Sequence, residues 1–180
     1  MSISKLFFIL LTLGLTGCVN PHVKPKLSAT ELTNGGIAYF STASIEECTV
    51  HSVYLALKKE SDEQILNLAK SQFFVTNRYV EKDYPESRGL FQIVSLPAGS
   101  YDFWFEQRHP MLDVDYEEVL SPFKIEKGEV KYLGEIRVDG CLDIAVNIGD
   151  EYDRDTSKLK LLYPDVGQLK PSKELIKLKQ

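Results

Sequence analysis

The chain has 180 residues, a formal charge of −5, 43% hydrophobic residues and 11% aromatics. That apolar content is too high for a disordered tail, and the length suits one domain with a core of its own. Net negative charge without any basic cluster argues against nucleic acid as a partner.

Residues 1–5 carry one positive charge, Lys5, and residues 6–15 are almost wholly apolar. The apolar run is about half the ~20 residues that a helix needs to span a bilayer. A charged start, a short apolar core and small residues before a break are the layout of a secretory signal peptide. The break itself reads Leu15-Thr16-Gly17-Cys18.

This stretch resembles the lipobox of bacterial lipoprotein precursors. The resemblance implies that residues 1–17 are a signal peptide removed by cleavage, and that Cys18 is the lipidated residue, carrying palmitate-type acyl chains. A thiolate is a good nucleophile for accepting lipid. Each buried CH₂ adds about 0.8 kcal/mol, so two or three chains on one residue hold a protein on a membrane where one chain does not. Val19, rather than Asp, follows the cysteine. In a Gram-negative envelope the resemblance then implies the outer membrane, with the domain facing the periplasm or the cell surface. Cleavage removes Lys5 and no acidic residue, which takes the formal charge to −6.

Residues 18–36 are expected to be the lipidated N-terminus and a tether, because Pro21, Pro25, Asn34, Gly35 and Gly36 leave little apolar periodicity. Fully extended at roughly 3.3 Å per residue, the tether reaches about 50–60 Å. With Cys18 spent on lipid, Cys48 and Cys141 remain. They are an even number in an oxidising compartment, and either form a disulfide or stay as two buried thiols.

Residues 37–150 are expected to form a β-sandwich domain. Strand patterning begins at Ile37-Ala38-Tyr39-Phe40. It continues over residues 49–57, with Val53, Leu55 and Leu57 on one face. Residues 61–70 fit a short helix, with Ser61 and Gln64 at capping-box spacing, with a connecting strand as the close alternative; Phe73-Phe74-Val75 is strand-like, and residues 77–89 read as a polar loop. Residues 90–96 predict a strand, Pro97-Ala98-Gly99 a turn, and Tyr101, Phe103 and Phe105 a second strand folding back on the first. Further strands are expected at 116–125 and at 129–138, the latter with Val130, Tyr132, Ile136 and Val138 on one face. Leu142, Ile144, Val146 and Ile148 alternate again. Short strands at this spacing indicate an antiparallel all-β sandwich or barrel.

The turn Leu96-Pro97-Ala98-Gly99-Ser100-Tyr101, with Phe123-Lys124-Ile125-Glu126-Lys127-Gly128 and Tyr132-Leu133-Gly134, is similar to prealbumin-like and carboxypeptidase-regulatory-like modules. The likeness implies an antiparallel β-sandwich of prealbumin/Ig-like type and no particular activity, since such modules host many roles. Residues 151–180 are expected to be a partly helical appendage packed on a sheet. Asp155 or Thr156 would cap a helix that Pro164 stops, and residues 171–178 would add another turn or two.

Catalytic patterning is weak. His22 falls in the tether, while His51 and His109 lack local metal-ligand spacing. No nucleophile elbow, phosphate loop, paired Cys-x-x-Cys or zinc-helix motif occurs, so no cofactor and no metal is expected. The acidic stretch Asp113, Asp115, Glu117 and Glu118 lacks the glycine and ligand spacing of a calcium loop and reads as a solvated edge. Trp104, the only tryptophan, is either an exposed platform or covered by the C-terminal segment. The loop containing Arg78, Tyr79 and Tyr84 mixes aromatics with both charges and, with Trp104, forms the expected contact surface. The expected function is a lipid-anchored cell-envelope protein with a non-enzymatic binding or structural module, its partner an envelope protein or a glycan. A small-ligand carrier or envelope sensor is the alternative, and an envelope hydrolase stands behind both.

Overall fold

A computed structural model describes residues 27, 29–45, 52–60, 72–76, 80–108, 115–117, 119–140 and 145–179. In chain order the strands are β1 (Gly35–Ser44), β2 (Ser52–Lys59), β3 (Gln72–Thr76), β4 (Leu90–Pro97), β5 (Gly99–Arg108), β6 (Asp115–Glu117), β7 (Phe123–Ile125), β8 (Val130–Asp139), β9 (Ala145–Gly149) and β10 (Ser172–Lys173). Helices α1 (Tyr152–Leu162) and α2 (Pro164–Gly167) follow β9, and short 3-10 turns cover Ala29–Thr33 and Pro85–Ser87.

The strands form two sheets. One has the order β10-β8-β1-β4, with β9 also on β8; the other has the order β3-β2-β5-β6, with β7 also on β5. Pairing is antiparallel except where β8 lies parallel to β1 and to β10. The protein is thus mainly β, with the two sheets face to face. Alternation in β2 sends Val53, Leu55 and Leu57 into the space between them. There Phe40 meets Phe73 and Phe103 edge-on, each at 5.1 Å between centroids, and Phe103 stacks on Phe123 at 5.2 Å. Strand β1 is buried at every position, because its other face is covered too. Ile37, Tyr39, Phe91, Ile93 and Tyr132 pack there with Leu159 and Val166 from the helices.

Several sequence expectations are corrected. Strands β4 and β5 do not fold back on each other: β4 pairs with β1 and β5 with β2, in different sheets. The Pro97-Ala98-Gly99 turn is a crossover. Val94 and Leu96 on one side and Tyr101, Phe103 and Phe105 on the other all belong to the inter-sheet core. Within one sheet these side chains would share a face, whereas the crossover makes them face each other. The Tyr101 hydroxyl donates to Pro97 O at 2.7 Å and pins the corner.

Strand β8 does not keep one face. Val130 and Tyr132 point to the helix side, while Leu133, Ile136 and Val138 enter the inter-sheet core. The switch occurs where the register against β1 slips, between the Tyr39–Tyr132 and Ser41–Glu135 pairs. Gly134, at φ +107°, occupies that bulge. The strand expected over 116–125 is two short ones, β6 and β7. Between them the backbone turns to the C-terminal segment, with Ser121 N–H donating to Lys177 O at 2.7 Å and Lys179 N–H to Val119 O at 2.8 Å.

That segment is extended, not helical. Glu174 N–H donates to Tyr132 O at 3.0 Å and Ile176 N–H to Leu133 O at 2.9 Å, so the chain satisfies edge carbonyls of β8. Lys131 supports the strap from below, its ammonium donating to Lys124 O at 2.7 Å and to the Glu174 carboxylate at 2.6 Å. Asp155 and Thr156 lie inside α1, whose N-cap is Glu151, and Pro164 opens α2. The last residues assigned to the tether are also structured: Gly35 and Gly36 belong to β1, and Leu27 and Leu32 pack on the helix-side cluster. The proposed pair Cys48 and Cys141, the lipobox-like stretch with Cys18, and residues 61–70 lie outside the described residues.

A Cβ on Gly134 would sit 3.1 Å from both Gly149 O and Ile148 Cγ2, at a φ that L-residues avoid. Gly134→Ala should therefore lower stability by about 1–2 kcal/mol or more in urea unfolding. Wild-type stability in that variant would refute the bulge.

Candidate functional site

Helix α1 crosses the outer face of the first sheet and lays its polar residues on β1 and β8. The hydroxyls of Tyr39 and Thr156 share a hydrogen bond of 2.7 Å. Ser41 Oγ donates to Asp155 Oδ2 at 2.6 Å. Arg154 Nη2 donates to Ser41 Oγ at 2.7 Å, and Arg154 Nε to Asp155 Oδ1 at 2.9 Å. Arg154 Nη2 also lies 3.0 Å from Glu135 Oε1, an ion pair whose angle falls outside that of a hydrogen bond. The other Glu135 oxygen accepts from Arg137.

Ser41, Glu135 and Asp155 are fully buried. Two carboxylates set against two guanidiniums make the cluster neutral, which is what allows it below the surface; removing one partner of a buried pair costs about 3–5 kcal/mol. Burial works against the Arg154 charge, yet Asp155 and Glu135 raise its pKa above the ordinary guanidinium value. The Arg154 guanidinium also lies 3.9 Å from the centroid of the Tyr84 ring. Ser41 both gives and receives a hydrogen bond within the cluster, so its role is structural.

At Arg137 the cluster reaches the surface. An open groove of about 460 Å³ lies there, lined by Ile45 at the end of β1, by Pro85, Glu86, Ser87 and Arg88, and by Arg137 itself. Its loop wall is rigidly built. Tyr84 N–H donates to Gly89 O at 3.0 Å and Gly89 N–H to Tyr84 O at 2.8 Å, with the 3-10 turn closed between them. Asp83 ties the loop down twice. Its carboxylate accepts from Phe91 N–H at 3.0 Å and pairs with Lys158 of α1 at 3.1 Å. Arg88 sits at φ 50° and is the one non-glycine residue at positive φ among the described residues. Its guanidinium donates to Ile45 O across the groove. Ile45 is 60% exposed, while Ser87 Oγ is buried without a hydrogen-bond partner among the described residues.

Of the expected contact surface, Tyr84 and Trp104 are among the described residues. Tyr84 is 6% exposed, its ring beneath Arg154, so it anchors the loop instead of presenting it. Trp104 is half-buried on the outer face of the second sheet, away from the helices, with the Lys58 ammonium 5.6 Å from its ring centroid. Arg78, Tyr79, His22, His51 and His109 lie outside the described residues, and Asp115 and Glu117 fall in β6. Sequence reasoning missed Ser41, Arg88, Glu135, Arg137, Arg154 and Asp155. The available signals were a Ser-Thr pair inside the apolar β1 and an arginine where the chain turns before Gly89. Among the described residues, no three of His, Cys, Asp and Glu converge as metal ligands. Compared with protein families, curated proteins and solved structures, the chain finds no match.

Burial raises the phenol pKa values of Tyr39, Tyr84 and Tyr132 well above the usual 10, and pushes Tyr163 up to about 12. The protonated phenols fit the fold and the phenolates do not. Their contribution to stability is complete below the unfolded value of about 10 and declines as pH rises from there through the raised folded values. In an alkaline titration these four should ionise only with the loss of circular dichroism. Ionisation of all nine tyrosines ahead of unfolding would contradict the packing of this face.

Proposed function

We propose that this chain is a lipid-anchored cell-envelope protein whose β-sandwich, of the prealbumin-like type, is a non-enzymatic binding module for an envelope protein or a glycan. The observation that carries the binding role is the groove. A rigid loop, two guanidiniums and an exposed isoleucine are gathered at one end of the sheet, and the neighbouring buried charges are spent on one another. Support for the anchor is the Leu15-Thr16-Gly17-Cys18 stretch after a short apolar run. In the Gram-negative case Val19 after the cysteine favours the outer membrane. A module over an enclosed carrier is favoured by the aromatic filling of the inter-sheet core and by a groove that opens to solvent.

Cys18→Ser should abolish incorporation of labelled fatty acid and release the protein from the membrane fraction; labelling that persists sinks the anchor. A photo-crosslinking residue at Ile45 in cells should trap discrete adducts. The same probe at exposed Lys124, on the other sheet, is the control. Equal yields from both positions would remove the groove as the binding site.

A further inference from the structure

We infer that the Arg88–Arg137 groove binds a single carboxylate carried on an apolar group, an assignment that rests on the groove being the binding site of the module. Arg88 is the one non-glycine residue at positive φ among the described residues. Its backbone lies in the left-handed region, at φ 50° and ψ 31°, where glycine is the least strained residue and a side chain carries a penalty. The turn itself needs nothing from that side chain. Its bonds, Arg88 N–H to Pro85 O and the Tyr84–Gly89 pair, are all backbone. A strained arginine in a turn that glycine would serve points to use of the guanidinium.

The guanidinium has five donors, and the Ile45 carbonyl takes one of them. Arg137 brings a second fork to the same groove, its orientation held by Glu135 and its side chain 39% exposed. Planar forks match a carboxylate in bidentate fashion. Ser87, whose buried hydroxyl lacks a partner among the described residues, also lines the groove wall.

Charge restricts the anion to one negative charge. Glu135 and Asp155 already balance Arg137 and Arg154, and Glu86 lines the same groove as Arg88. A doubly charged phosphate would bring two negative charges beside Glu86 and Glu135, whereas a carboxylate brings one. Ile45 and Pro85 provide an apolar wall for the substituent. At about 460 Å³ the groove is within the range of small-molecule sites, roughly 300–1,000 Å³.

The test is calorimetric titration of the detergent-solubilised mature protein with N-acetyl-leucine, N-acetyl-leucinamide, 4-methylpentanoate, acetate and methyl phosphate. N-acetyl-leucine should bind, and the amide, acetate and methyl phosphate should bind at least about tenfold more weakly. Binding of 4-methylpentanoate equal to N-acetyl-leucine assigns any apolar carboxylate; binding of N-acetyl-leucine alone assigns a peptide C-terminus. Arg88→Gly should weaken N-acetyl-leucine about tenfold to a hundredfold without lowering the melting temperature, since glycine accepts this backbone. Arg88→Lys should give an intermediate loss, because the charge stays and the fork does not. Equal binding of acid and amide, no binding of either, or wild-type affinity in Arg88→Gly overturns the assignment. Crosslinks at Ile45 without carboxylate selectivity leave the binding module standing and reject only this ligand class.

Discussion

Strand β1 lies between two layers that both require it. Its inward side chains, Ala38 and Phe40, close the inter-sheet core, and its outward ones, Ile37 and Tyr39, are the floor under the helices. A strand with no solvent face cannot alternate apolar with charged residues, which explains the small and hydroxyl-bearing residues at its far end. There Ser41 and Thr42 are buried but satisfied, Ser41 by Asp155 and Arg154, and Thr42 by the Phe74 carbonyl of the opposite sheet. Burial of β1 thus fixes where α1 lies and which polar residues it must bring.

The bulge at Gly134 follows from the same constraint. Before it, Lys131 and Leu133 alternate against the outward Val130 and Tyr132; after it, Ile136 and Val138 point inward. If the same residues alternated regularly without the bulge, Glu135 would follow Leu133 into the aromatic core, where an unpaired carboxylate is too costly to keep charged. With it, Glu135 emerges under α1 between Arg154 and Arg137. One backbone irregularity therefore converts a core-breaking residue into the centre of a neutral ion cluster. It also carries Arg137 to the surface, where the groove opens.

The stretch proposed as the anchor and the groove lie on separate parts of the chain. The lipobox-like stretch lies outside the described residues, while Leu27 and Leu32 pack on the helix-side cluster, the face that α1 and α2 cover. The groove lies at the end of β1 and β8, where the rigid Tyr84–Gly89 loop meets Ile45. For the proposed binding module, a contact site on a fixed loop loses little conformational entropy when it binds.

By itself the sequence determined what is local. Alternation at period two located β2, β5 and β8, and short apolar runs located β1 and β4, since a strand sorts its side chains between two faces or buries both. A polar-apolar pattern ending at Pro164 located α1. The lipobox-like stretch, being a linear signal, was legible without any fold. Only the tertiary structure decided which strands pair. Pro97-Ala98-Gly99 reads the same in a hairpin as in a crossover, and only the cores on either side separate the two. The facing of β8 turned on a register slip that no single-strand pattern contains. The C-terminal segment became a strand because β8 offered free edge carbonyls. Ser41, Glu135 and Arg154 are far apart in sequence, and buried charge pairs of this kind obey no local spacing rule; they meet because both must leave water at the same place.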